Sequence, residues 1–216
     1  MRLPPRTVGL MGGSFNPAHG GHRFIALRAL EALNLDEVWW LVSPGNPLKP
    51  QAGMAPLAIR YASALSASRR ARIRPTMIER DLGTRYTVDS LRALRRRYPH
   101  IRFIWIMGGD NLRQFHRWKD WRDIARTMPI AVIARPGYDD AVHGTPAMAW
   151  LRRFVRRANQ SGRWTQWRTP ALVQLRFRPD PRSATQLRRA NPHWQKPYRH
   201  QQLRDVVTHR VLPVKE

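Results

Sequence analysis

The chain has no cysteine, which excludes disulfide staples, thiolate chemistry and cysteine-ligated metal sites. Acidic residues are scarce: 14 Asp and Glu stand against 39 Lys and Arg in 216 residues, a formal net charge of +25. No apolar run approaches the ~20 residues that a membrane helix needs. The opening MRLPPRTVGL lacks the apolar core of a signal peptide. No membrane partner is expected, and a soluble cytoplasmic protein is the default. Internal repeats, heptad arrays and low-complexity tracts are also missing.

What is present argues for a packed globular protein. Apolar residues make up 42% of the chain and nine tryptophans are among them, a composition unlike that of a disordered basic tail. The length suits one well-buried core, so residues 1–216 are expected to form a single domain. Arginine carries most of the positive charge, clustered at Arg69-Arg70, Arg95-Arg96-Arg97, Arg152-Arg153 and Arg156-Arg157. Each cluster lies on or beside an amphipathic stretch. In the last two, Leu151, Phe154 and Val155 would face the core and the four arginines would face solvent. Charge of this size obliges nucleic acid to be considered as a partner. No RNA-binding sheet motif or zinc finger accompanies it, and a basic surface also attracts small polyanions. The expectation is therefore no specific nucleic-acid partner, and only weak, salt-labile binding to duplex DNA.

Continuous apolar runs alternate with amphipathic patterns along the chain. Strands are expected at 8–11, 38–42, 103–107, 130–134 and 172–177, and helices at 23–33, 56–67, 88–98, 121–126, 147–159, 185–190 and 201–209. That alternation specifies an α/β fold, a doubly wound Rossmann-like parallel sheet with helices on both faces. Strand ends are punctuated by Ser43-Pro-Gly-Asn-Pro, Gly108-Gly-Asp and Arg135-Pro-Gly. In open parallel sheets such loops converge on a ligand beyond the carboxyl ends of the strands. The segment 137–146 reads as a surface loop, and 161–169 as a polar stretch partly docked by its two tryptophans.

The segment GLMGGSFNPAHGGH at 9–22 carries the most information. A short apolar run ends in Gly12-Gly13, where backbone without Cβ can lie against a ligand. His19 and His22 follow, just as an amphipathic helix begins. Both imidazoles then sit among free backbone N–H groups at the positive end of a helix, a place that attracts phosphate. Two other readings stand beside this one. The histidines would make a zinc site only without the i, i+4 spacing of HExxH and without any cysteine. Alternatively, the glycines form a tight turn that the histidines merely cap.

The whole pattern resembles the HxGH nucleotidyltransferase superfamily and, within it, the bacterial nicotinate-nucleotide adenylyltransferases. GSFNPAHGGH is close to that family's GSFDPxHxGH signature. The likeness continues, in order, through SPGNPLK at 43–49, YTVDSL at 86–91, WIMGGDNLRQFHRWKDW at 105–121, ARPGY at 134–138 and SATQLR at 183–188. HxGH alone is shared with other nucleotidyltransferases and with class I aminoacyl-tRNA synthetases. The GGDNL…W…W block followed by RPGY is much more specific.

The resemblance implies ATP-dependent adenylyl transfer to nicotinic acid mononucleotide, with pyrophosphate released, in NAD biosynthesis. A sister transferase acting on nicotinamide mononucleotide or another phosphorylated acceptor is the alternative, and a non-catalytic basic nucleic-acid-binding protein is a third reading. The implied catalytic residues are His19, His22, Lys49 and Arg188, with His22 nearest the α-phosphate. Gly12, Gly13, Ser14 and Phe15 would line the ATP crevice. Asp110 would lie on the adenosine side, or else cap the helix after it. Ser183 is a plausible N-cap, and Thr185 and Arg188 share a face of the helix it opens; by resemblance all three address the β- and γ-phosphates, in a C-terminal helical portion spanning about 183–209. Asn46, Lys49, Thr87, Trp118, Lys119 and Arg135 are the implied mononucleotide residues, with Trp118 stacking on the pyridine ring and backbone near Thr87, Trp118 and Lys119 meeting its carboxylate. No protein metal site is expected; Mg²⁺ would come mainly on the ATP phosphates. Leu48 and Ala184 depart from the family pattern, standing where it often has histidine and serine.

Overall fold

The computed structural model describes residues 6–45, 53–134, 144–177, 182–199 and 202–212. Seven strands form one parallel sheet: β1 (Arg6–Gly13), β2 (Glu37–Val42), β3 (Ile73–Thr76), β4 (Ile101–Gly108), β5 (Ile130–Ala134), β6 (Val155–Arg156) and β7 (Leu172–Arg176). Their order is β3-β2-β1-β4-β5-β7-β6. The chain winds outward from β1 to β3, then returns to place β4 on the other side of β1. This reversal opens a crevice at the carboxyl ends of β1 and β4.

Period-two alternation on buried strands builds a core on each side of the sheet. Met11, Trp40, Ile104 and Ile106 pack against α1 (Gly20–Ala32) and α2 (Leu57–Ser68). Leu10, Trp39, Phe103 and Trp105 face the other way. They pack against Leu91 and Leu94 of α4 (Thr87–Arg97) and Ile124 of α6 (Trp121–Thr127). Among the described residues there are four shorter α-helices: α3 (Ile78–Asp81), α5 (Gly109–Gln114), α7 (Pro146–Leu151) and α8 (Ala184–Ala190). The doubly wound expectation is met. Among the described residues no helix is long and apolar enough to cross a membrane.

Several local expectations are corrected. The strand β3 was not anticipated, because Pro75 interrupts it; at the sheet edge its missing N–H costs no ladder bond. Helices α3 and α5 were likewise missed. The helix expected over 147–159 ends at Leu151. A 3₁₀ turn (Arg152–Phe154) follows, and then β6 pairs with β7, which leaves Val155 41% exposed instead of core-facing. Phe177 falls just beyond β7. The stretch 161–169 is docked as foreseen: Ser161 Oγ donates to Ala32 O at 2.6 Å and Trp164 Nε1 to Leu33 O at 2.9 Å, capping the carbonyl end of α1. Most of the loop expected over 137–146 lies outside the described residues.

No helix forms over the described part of 201–209. Arg204 bridges antiparallel to Val211, and the buried Asp205 carboxylate organises the turn between them. It accepts from the amides of Val207 and Thr208 within the turn, both at 2.9 Å, and from Met77 N at 2.7 Å and Thr76 Oγ1 at the end of β3. Tyr61 Oη adds a second tie, donating to Arg204 O and accepting from Val206 N. Burial, and the charge of Asp205, raise the pKa of this phenol.

Asp205→Ala would strand the buried Met77 N–H and Thr76 hydroxyl, at about 1–3 kcal/mol each. At roughly 2–4 °C per kcal/mol for a chain of this size, the melting temperature should fall by about 4–24 °C. Asp205→Asn keeps one acceptor and should fall less. An unchanged melting temperature in the alanine variant would show that this clamp is idle.

Candidate active site

The crevice is a cleft of about 530 Å³ floored by the ends of β1 and β4. A Cβ on Gly12 would lie 2.6 Å from Trp105 Cη2, so only glycine lets β1 run flat against that indole. The chain then turns through Phe15, left-handed at φ 48° and buried, and through Asn16. Asn16 bridges to the segment before α2 by donating to Gly53 O at 2.9 Å and accepting from Ala55 N at 3.1 Å.

His19 is the N-cap of α1, and the cap is reciprocal. Its Nδ1 accepts from Gly21 N at 3.0 Å, while His22 Nδ1 accepts from His19 N at 3.2 Å. An imidazole whose Nδ1 accepts carries its proton on Nε2 when neutral. The two rings lie 3.9 Å apart and His22 packs on Phe15 at 4.9 Å. The histidines therefore do cap the helix, and the same bonds leave Nε2–H as the donor on each ring. The Arg182 guanidinium lies over Gly20, the first residue of α1.

The far end of the chain closes the same cleft. Ser183 caps α8 by accepting from Gln186 N at 3.2 Å. One turn on, Arg188 Nη1 donates to Asn16 O at 2.6 Å, with Nη2 3.3 Å from Thr185 Oγ1. Thr185 and Arg188 line the cleft opposite His22; Ser183 and His19 stand behind its lining.

Arg60 holds the loops in place from beneath. It is 2% exposed, and its guanidinium donates to Ala55 O at 2.8 Å, Ser14 O at 2.8 Å and Ser43 O at 2.7 Å. Burial lowers its pKa to about 10, so it stays charged at neutral pH. One side chain thereby ties the exits of β1 and β2 to the start of α2.

The opposite wall is built from the N-terminus of α4 and the turn before α6. Tyr86 and Thr87 line it, with Thr87 at the first helical position, where a backbone N–H has no helical partner. Trp118 stands edge-on to Phe115 at 5.5 Å and to Trp105 at 6.4 Å. Its own amide closes the 3₁₀ turn on Phe115 O at 3.0 Å. The Trp118 amide, expected as a carboxylate donor, is thus engaged within its own turn. Lys119 Nζ lies 4.6 Å over the Tyr86 ring. Asp110 also lines the cleft, in the first turn of α5. It does not cap that helix, since the N-cap is Gly108 with no side-chain bond.

Sequence reasoning overlooked Arg60, Arg182 and Glu79. Glu79 lines the same cleft and accepts from Ser90 Oγ at 2.8 Å; burial pushes its pKa up to about 7. None of the three falls in a recognised motif. Asn46, Lys49 and Arg135 lie outside the described residues. Among the described residues no three His, Asp or Glu side chains gather as metal ligands.

Comparison with known proteins agrees with this geometry. The sequence profile of the cytidylyltransferase-like family matches residues 10–190. The chain is 64% identical over 205 residues to a "Probable nicotinate-nucleotide adenylyltransferase" of Erythrobacter litoralis, covering 95% of this chain and 94% of that protein. It is 50% identical over 185 residues to a protein of the same name from Parvibaculum lavamentivorans, covering 86% and 92%. A Plasmodium falciparum nicotinic acid mononucleotide adenylyltransferase, solved in complex with NaAD, superposes with a TM-score of 0.59 at 14% identity over 85% of this chain and 83% of that one. At that identity the superposition speaks to the fold alone.

Arg60→Ala would leave three loop carbonyls without their donor, at about 1–3 kcal/mol for each that stays buried. Loss of roughly 3 kcal/mol or more is expected by denaturant melting, with cleft activity falling in parallel. Arg60→Lys keeps the charge, but a point-like ammonium cannot reproduce the guanidinium fork, so it should recover only part of the loss. Full recovery by lysine would show that charge alone matters there.

Proposed function

Given that the chain belongs to the nicotinate-nucleotide adenylyltransferases of the cytidylyltransferase-like family, we propose a division of labour among the residues of its cleft. The enzyme joins the phosphate of nicotinic acid mononucleotide to the α-phosphate of ATP, forming nicotinic acid adenine dinucleotide and pyrophosphate. The observation that best supports the residue roles is the meeting of the histidine cap of α1 with Arg188 across one cleft, facing the wall of Trp118 and Thr87. All of 1–216 is read as one nucleotidyltransferase domain.

The attacking phosphate is ionised at neutral pH, so no general base is required. Catalysis rests on aligning two anions and on donors aimed at charge that develops in transfer. His22 offers Nε2–H to the α-phosphate, and His19 sets its orientation from the N-cap. Gly12, Gly13, Ser14 and Phe15 shape the crevice; Asp110 serves the adenosine side. Thr185 and Arg188 take the β- and γ-phosphates, helped by Ser183 as the cap that positions them. Lys49 reaches the phosphates, and Asn46 and Arg135 serve the mononucleotide, on the strength of the sequence resemblance alone. The gathered residues make no metal cage, so Mg²⁺ is proposed to arrive on the nucleotide and to neutralise its phosphates there.

On the acceptor side the pyridine ring stacks on Trp118. Its carboxylate meets the Thr87 end of α4 and the Lys119 amide. A carboxylate accepts at both oxygens, whereas an amide turns an NH₂ toward donors and strands them. Nicotinic acid mononucleotide should be preferred over the amide by at least ~10-fold in kcat/KM, read as pyrophosphate release. Equal values would sink the acceptor assignment while leaving the transfer chemistry intact. His22→Ala and Arg188→Ala, purified as folded proteins, should each lose at least ~10²-fold in turnover.

Glu79 makes the acceptor end responsive to pH. Its pKa lies above the ordinary carboxyl value, so the group is neutral below about 7 and ionised above it. An anionic acceptor meets repulsion only in the ionised form. KM for nicotinic acid mononucleotide should rise as pH climbs through 7, and the rise should vanish in Glu79→Gln with kcat little changed. The same sign governs stability: the burial penalty is absent below the unfolded value and complete above about 7, so Glu79→Gln should stabilise the protein at pH 8 and not at pH 4. A KM profile identical in both proteins would remove Glu79 from this role.

A further inference from the structure

We propose that the outer face of α4, α6 and α7 is a docking surface for single-stranded nucleic acid, indifferent to sequence and separate from the adenylyl-transfer cleft. Four guanidiniums, from Arg92, Arg95 and Arg96 of α4 and Arg126 of α6, surround an open depression of about 460 Å³. Its one carboxylate, Asp123, is shared between Arg92 at 2.8 Å and Arg126 at 2.9 Å. Arg95 donates to the carbonyl of Thr127 at 2.7 Å, a bond that leaves its charge uncompensated. Among the described residues Arg96 has no carboxylate partner. Four cations held about one anion repel each other, and a polyanion relieves that repulsion. Guanidinium forks suit phosphate oxygens in particular.

The depression runs into a ladder of aromatic rings, and Arg126 belongs to both. Its guanidinium lies 5.7 Å from the Trp150 ring on α7. Trp150 packs edge-on to Trp121 at 5.4 Å and tilted on Phe154 at 5.0 Å. Arg122 lies 4.9 Å over Trp121, and Arg153 5.8 Å over Phe154. All three rings are only partly buried. Planar cations and rings alternating beside a cluster of phosphate-binding groups are what a strand with unpaired bases can use: charge for its backbone, flat faces for its bases. A duplex hides its base faces, and a sulfated polymer has none. The shortage of acid across the chain, 14 residues against 39 bases, adds long-range attraction. Arg96 follows Thr87 by nine residues, about 13 Å along the helix, so the arginine depression opens toward the end of α4 remote from the cleft.

The test is fluorescence anisotropy with labelled oligo(U) and oligo(dT) of about 20 nucleotides. If the four guanidiniums neutralise roughly four phosphates, a single-strand slope of about −0.7 per phosphate predicts ~50-fold weaker binding at about 200 mM than at about 50 mM salt. Arg96→Glu combined with Arg153→Glu should weaken binding at least ~10-fold with unaltered melting temperature and unaltered pyrophosphate release. A duplex of equal length should bind at least ~10-fold more weakly than the single strand. Bound oligonucleotide should quench tryptophan emission, less so in Trp150→Phe, which keeps an aromatic ring in the ladder. RNA and DNA strands should bind alike, since the surface offers groups for phosphate and base faces that both share. Binding unaffected by the double charge reversal, duplex binding equal to single-strand binding, or preference for anionic lipid vesicles over either oligonucleotide would overturn the proposal.

Discussion

At the start of α1, two imidazole Nδ1 atoms accept backbone amides from each other's turn, and those two hydrogen bonds determine what the cleft can do. They fix both ring orientations and put the proton of each neutral ring on Nε2. They also require α1 to begin where it does, straight after the glycine end of β1. Everything else around the cleft holds that junction still. Arg60 ties the carbonyls of Ser14, Ser43 and Ala55 from below, Ser63 Oγ accepts from Ala18 N, and Arg188 braces the Asn16 carbonyl from the opposite end of the chain. Donors are set before any anion arrives, which is the arrangement that electrostatic catalysis favours.

The cleft is uneven in charge. Its phosphate end offers ring N–H groups, a helix start and a guanidinium, suited to a reaction between two anions. The acceptor end is more balanced: Lys119 over Tyr86, a half-buried Glu79 near neutrality, and an aromatic wall. Two anions held at the first end would repel, so the acceptor gains from a grip on its uncharged ring and on its carboxylate, away from the triphosphate. In the proposed assignment Trp118 and the start of α4 supply these grips while His22 stays with the phosphates.

Much of this was legible in the sequence where local chemistry dominates. The β1–α1 turn could be read because Gly12, Gly13, His19 and His22 each have a short-range reason to be there, and Ser183 announced its cap in the same way. Strands β1, β2, β4, β5 and β7 followed from buried apolar runs. What escaped depends on long-range partners. Arg60 looks like any surface arginine on an amphipathic helix until the distant carbonyls of Ser14 and Ser43 turn toward it. Asp205 sits in what reads as a helix, yet its carboxylate reaches Thr76 and Met77, more than a hundred residues away in sequence, and folds a hairpin instead. Pro75 hid β3, since only the finished sheet shows that the strand lies at its edge. The Trp118 amide was misjudged because closure of a 3₁₀ turn on Phe115 cannot be seen in the letters.

The central proposal is that the reciprocal cap holds both neutral histidines in the Nε2–H form, with His22, the one that lines the cleft, as the donor to phosphate. Long-range ¹H–¹⁵N correlation spectra of the histidine-labelled protein near neutral pH test this directly. The account predicts that both rings are in the Nε2–H form, with unprotonated Nδ1, and that the His22 Nε2 resonance moves on addition of a non-hydrolysable ATP analogue. Nδ1–H tautomers for this pair, or a His22 signal indifferent to the analogue, would contradict it.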